Sequence, residues 1–203
     1  MALLFPILGK MREKTNTTKC VGNLRQIGAL VGIYLADNDG YLPYWRPWTD
    51  GSGSWTWDSY ALTTTTGGEM PRLAGYHPGG IMTAAQYDAP GSKNLFNCPS
   101  NTSKVRSKGY AANRLLMGDI SIPSSRKKLV SIPRHGSLIL IADNAMSKEN
   151  EVNARWFFKS DWKQRIGFQR HGGRANILFC DFSVRPAALE ELTDANIDPK
   201  EAP

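Results

Sequence analysis

The feature that most constrains this chain is the run from Cys20 to Leu35, CVGNLRQIGALVGIYL. Cys20, Leu24, Ile27, Val31 and Tyr34 recur at spacings of four and three, which puts them on one face of an α-helix. Leu30 and Leu35 widen that face; Asn23, Arg25 and Gln26 lie off it. An apolar face this wide has to be buried against something. The remainder of the chain is expected to supply a sheet for it to pack on.

Before the stripe, residues 2–8 are apolar and Lys10 to Lys19, KMREKTNTTK, is polar on every face. Seven apolar residues are too few to span a bilayer, which takes about 20. The run also lacks the basic start and small-residue cleavage site of a signal peptide. Apolar run, polar neck and stripe fit one continuous helix of about 55 Å, with Pro6 expected to kink it. The alternative is a short amphipathic N-terminus folded onto the domain. The helix should end near Asp37-Asn38-Asp39-Gly40, where Asn or Gly accepts a left-handed cap and Pro43 cannot continue. These acids do not make a calcium loop of the EF-hand type, because Trp48 stands at the twelfth position instead of Glu.

Residues 41–94 form a loop-rich, aromatic insertion with little regular structure beyond a turn of helix near Met82 to Tyr87. Trp45, Trp48, Trp55 and Trp57 cluster at its start. Such a cluster can close over a sheet as a satellite core or stack on sugar rings as a ligand surface. Leu95 to Ser100 reads as a short extended piece stopped by Pro99. Lys128 to Pro133 reads as a strand or turn. Ser137 to Ala142 is the clearest strand, Ala175 to Cys180 the next, and Val184 to Pro186 a returning strand after a turn at Asp181-Phe182-Ser183. The tail holds at most a short helix over Leu189 to Asp194, and its last residues should fray.

The formal charge of +7 would suit an anionic partner. The basic residues are scattered, however, and no nucleic-acid partner is expected. Cys20, Cys98 and Cys180 are too few for a disulfide scaffold or a zinc finger; they allow three buried thiols, or one disulfide and one thiol. No nucleophile elbow, zinc-protease helix or phosphate loop is present. Cys98, His171 and an aspartate supply the residue types of a thiol nucleophile set, but no spacing brings them together. No enzymatic activity, cofactor or metal is expected. His171 and Asp181 flank a strand that separates them by about 20 Å or more, so neither an ion pair nor a shared metal is expected between them. The imidazole should bond a neighbouring loop, and Asp181 should cap the hairpin turn.

His171, nine residues and Asp181 resemble the H-X9-DG signature of the prepilin-type processing-associated, pseudopilin-like proteins, with Phe182 where that family has glycine. Other segments agree in order. Cys20 to Gly28 resembles the family's C-x-x-N-L-K-Q-I-G helix, Asp37 to Pro43 its D-N-x-G-x-L-P exit, Phe96 to Pro99 its F-x-C-P element, and Gly109-Tyr110 with Asn113 its S-Y-x-x-N element. The matching residues include Asn23, Cys98, Pro99, His171, Asn176 and Asp181, in structural roles.

The resemblance implies an α+β, type IV pilin-like fold: a long N-terminal helix (residues 1–40) on an antiparallel sheet within a head (residues 41–203). It also implies that the apolar helix half begins upstream of Met1, where a membrane peptidase removes a short leader and N-methylates the new terminus, a segment absent from this sequence. Function would then be assembly with other pilin-like subunits, anchored in the inner membrane, in a type II secretion-like or type IV pilus-like envelope apparatus. The alternative is an extracytoplasmic module binding polysaccharide or a secreted substrate through the tryptophan-rich insertion. Cys20, on the buried helix face, and Cys98, on a segment able to cross it, are the expected disulfide pair, with Cys180 buried in its strand.

Overall fold

The computed structural model describes residues 4–44, 48–49, 54–55, 95–100, 109–118, 122–145 and 156–201. Helix α1 runs from Leu4 to Asp37, 34 residues or about 50 Å. Pro6 lies within this helix, and the carbonyl four residues before it, that of Ala2, lies outside the described residues. In the polar neck the threonine hydroxyls find their partners on the helix itself. Thr15, Thr17 and Thr18 each donate to the carbonyl four residues back, at 2.9, 3.0 and 3.0 Å. The helix ends where expected. Asp39 (φ 51°) and Gly40 (φ 76°) take the left-handed conformation, and the Gly40 N–H returns to the Leu35 carbonyl at 2.8 Å.

The strands are β1 (Trp48–Thr49), β2 (Ser54–Trp55), β3 (Tyr110–Asn113), β4 (Ile139–Asp143), β5 (Trp156–Phe157), β6 (Ala175–Phe179) and β7 (Val184–Ala187). The first two pair only with each other; the rest form one sheet in the order β5-β3-β4-β6-β7. The architecture is α+β, but the sheet is mixed where an antiparallel one was expected. Edge strand β5 runs parallel to β3, Ala112 opposite Trp156. It comes from a segment to which no strand was assigned from the sequence, since two residues carry no period to read. The other pairings are antiparallel, with a register shift in β4 between Ile139 and Ile141.

Both faces of the sheet are covered. Cys20, Leu24, Ile27, Val31 and Tyr34 are each at most 2% exposed, and pack on Tyr110, Ala112, Ile141, Leu178 and Cys180. The opposite face carries a second core. There Phe157, Trp162, Ile166, Phe168, Leu192 and Ile197 cover Ala111, Ile139, Ala142, Ile177 and Phe179. A helical turn over Trp162–Arg165 and the tail provide this third layer. Burial on both sides explains why β4 reads as an unbroken apolar run, and β6 as one interrupted only by Asn176, instead of alternating ones.

Two local expectations are corrected. Leu95 to Ser100 forms turns rather than an extended piece. Of the strand or turn expected over Lys128 to Pro133, the structure has the turn, a 3-10 turn at Leu129–Ser131, and the tail keeps to short helical turns, of the 3-10 type, at Leu189–Glu191 and Asp194–Asn196. Residues 198–201 are held, not frayed: the Arg134 guanidinium donates to the carbonyls of Asp198, Pro199 and Glu201, the last at 2.7 Å. The turn of helix suggested near Met82 lies outside the described residues. So do Trp45, Trp57 and the side chains of Trp48 and Trp55, and with them the suggested ligand surface. Among the described residues, no helix is long and apolar enough to cross a membrane.

Candidate functional site

Where the polar neck of α1 gives way to its apolar stripe, the helix meets the sheet across a buried polar centre. Cys20 and Cys98 are joined there by a disulfide, as expected from the sequence, with their Cα atoms 5.3 Å apart. Cys20 comes from the first buried position of the α1 stripe. Cys98 comes from the 95–100 turn, which lies against Gly109. A Cβ at Gly109 would fall 2.1 Å from the Cys98 backbone nitrogen, so only glycine lets the two segments come this close. Asn23, one helical turn past Cys20, holds the same turn by donating to the Asn97 carbonyl at 3.1 Å.

His171 completes the centre from the loop before β6. Gly172 (φ 65°) and Gly173 (φ 86°) bend the chain so that the imidazole turns inward. Its Nδ1 lies 3.0 Å from the Thr17 hydroxyl. Its Nε2 lies 3.5 Å from the Cys98 sulfur and 3.2 Å from Oδ2 of Asp143. Asp143 ends β4, is fully buried, and accepts the Asn176 backbone N–H at 2.7 Å. The Thr17 hydroxyl has one proton, and it goes to the Glu13 carbonyl. Thr17 therefore accepts from His171, which makes Nδ1 the protonated nitrogen and turns Nε2 toward the carboxylate and the sulfur.

A shell of further buried polar groups surrounds this core. Arg170 donates to Gly109 O at 3.2 Å and to the Asn144 side chain. Burial pushes its guanidinium down, and the Asp143 carboxylate opposes that shift. Tyr110 donates to the Cys20 carbonyl at 3.4 Å; burial, and then the Asp143 charge, raise its phenol. Asp143 Oδ1, Asn144 Nδ2, Arg170 Nε and both polar side-chain atoms of Asn176 are buried without a hydrogen-bond partner among the described residues. Such groups are costly, and several together mark a site rather than a plain core.

Of the residues singled out in the sequence, Cys20, Asn23, Cys98, His171 and Asn176 converge here. Asp181 and Pro99 do not join the centre. Pro99 is exposed on its turn. Asp181 caps the β6–β7 hairpin, accepting from the Ser183 N–H at 2.9 Å and hydroxyl at 2.6 Å. Phe182 keeps the left-handed conformation (φ 64°) that a glycine would have adopted freely. Cys180 is a free buried thiol. Burial, with the Asp181 charge adding to it, pushes that thiol up to about 12.

Thr17, Asp143, Asn144 and Arg170 were missed by sequence reasoning. Asp143 left one trace, an acid closing the buried run SLILIA. Cys98, His171 and Asp143 are the residue types of a thiol nucleophile set, now side by side, but the sulfur is committed to the disulfide. No protein-family model, curated protein or solved structure matches this chain.

Proposed function

We propose that this protein is a non-catalytic, pilin-like structural subunit of a type II secretion-like or type IV pilus-like envelope apparatus. The observation that carries the reading is the division of α1. From Cys20 onward its stripe is buried on the sheet. From Leu8 to Thr15 every residue is exposed, with Leu8 at 59% and Met11 at 61%. Two turns of helix with no described residue packed on them are poorly stable alone; neighbouring helices in a bundle would supply the missing contacts. The ordered motifs from Cys20 to Asp181 support the same reading, and the disulfide suits a head outside the reducing cytoplasm.

Photo-crosslinking residues placed at Leu8 and at Met11, in the protein's own cells, test it. Crosslinks to other pilin-like subunits from both positions, in the membrane fraction, are expected. A soluble chain that gives no crosslink from either position overturns the proposal.

A further inference from the structure

Four donor atoms meet in the buried centre: the sulfurs of Cys20 and Cys98, Nε2 of His171 and a carboxylate oxygen of Asp143, all within 4.8 Å of one another. We infer that this centre is a redox-gated zinc site, closed as a disulfide in the oxidised protein and able to hold one tetrahedral Zn2+ once Cys20 and Cys98 are reduced. The inference is independent of any role in assembly.

Three observations carry it. The first is the donor set. Two thiolates, an imidazole and a carboxylate are the ligands of tetrahedral zinc. With metal–ligand bonds near 2.0–2.3 Å, the edges of such a tetrahedron are about 3.3–3.8 Å. The Nε2 to Oδ2 and Nε2 to Cys98 Sγ separations, 3.2 and 3.5 Å, are close to that already. Opening the disulfide frees the two sulfurs to separate by the same amount.

The second is the orientation of His171. Thr17 fixes the proton on Nδ1, so Nε2 presents its lone pair to a carboxylate oxygen that also accepts from Asn176. Nε2 and this carboxylate oxygen, 3.2 Å apart, both aim lone pairs at the space a cation would occupy, and Zn2+ can take that place. The Nδ1–H to Thr17 bond is the outer-shell contact that metal-bound histidines commonly make. The Asp143 Oδ1 left without a partner belongs to the same carboxylate.

The third is charge. Zn2+ with two thiolates and one carboxylate sums to −1, and the buried Arg170 guanidinium restores neutrality. A buried centre without net charge avoids most of the cost of removing ions from water.

The chemistry balances with a dithiol as reductant. The dithiol gives two electrons and two protons to the Cys20–Cys98 bond and becomes a cyclic disulfide, leaving two thiols. Zn2+ then displaces one proton from each thiol and takes lone pairs from Nε2 of His171 and Oδ2 of Asp143.

The test uses the full chain, reduced anaerobically with a dithiol, exchanged into reductant-free buffer, and given Zn2+ or Co2+ alone. One equivalent of Zn2+ per chain should survive gel filtration. Co2+ should give the intense visible absorption of a tetrahedral thiolate complex, and the oxidised chain should give neither signal. Thr17→Val leaves all four ligands in place and should weaken Zn2+ by about 10–100-fold. The double variant Cys20→Ser with Cys98→Ser should abolish the Co2+ absorption.

If the reduced chain unfolds and one equivalent of Zn2+ refolds it, the inference stands. It is overturned by a folded reduced chain that takes up no Zn2+, or by an unfolded one that Zn2+ does not rescue. Uptake that the Thr17 and double-cysteine variants leave unchanged overturns it as well.

Discussion

Gly109 shows how much can rest on one missing side chain. It donates to Phe96 O, accepts from Asn144 N and Arg170, and lies against the Cys98 backbone. A methyl group there collides with backbone rather than with a side chain able to swing away. Gly109→Ala should therefore cost about 1–3 kcal/mol or more, read as a shift in the urea midpoint. A midpoint within error of the parent would contradict the close approach. Asp181 acts on a smaller scale. Burial alone would raise its carboxyl, but the Ser183 hydroxyl and N–H outweigh it and hold the group below the usual carboxylate range. A depressed folded value means that its stabilisation is complete above the unfolded carboxylate value and disappears as pH falls through the folded one. Asp181→Asn should thus flatten part of the acid limb of stability against pH, while leaving the neutral limb parallel to the parent. Such single-residue roles were partly legible. Asp181 was expected to cap its turn because a short acid beside Ser183 can do little else there. Gly109 was noticed only within a motif, since a contact with residue 98 leaves no local mark.

At the scale of elements, α1 is the clearest case of sequence periodicity turning into packing. Leu24 is fully buried on the sheet, whereas Ile33, on the same helix, is 49% exposed. Leu24→Ala should cost about 2–5 kcal/mol, and Ile33→Ala less than about 0.5 kcal/mol, in paired denaturant titrations. Equal costs would mean that the helix is rotated from the orientation described. The C-cap of α1 and strands β4, β6 and β7 were likewise readable, to within a residue or two at their ends. Strand β5 and the turn at Trp162–Arg165 were not. They are two and four residues long, and they exist because β3 offers an edge and the second core needs a cover. Only the fraying expected of the last residues was misjudged, for a related reason: Asn113 reaches from β3 to bond Ile139 O at 2.8 Å and Ile197 O at 2.9 Å. Those bonds depend on tertiary placement and leave no period in the tail itself.

At the scale of the molecule, a sheet is enclosed between α1 and a layer of short turns, and the first turns of α1 extend beyond that body. Leu8→Ala and Met11→Ala should each change the unfolding free energy by less than about 0.5 kcal/mol, because both side chains are exposed. A large loss in thermal or urea unfolding would show that the neck is part of the folded body, and would weaken the case for assembly through it. The sequence by itself determined the long helix, its buried face, its stop at Asp39-Gly40 and the core strands, because each follows from neighbours a few residues apart. The tertiary structure alone decided that the sheet is mixed. It also decided that Thr17, Cys20, Cys98, Asp143 and His171 meet in one buried centre. Those residues are spread over 154 positions, from Thr17 to His171, and burial of two apolar faces, not any local spacing, brings them together.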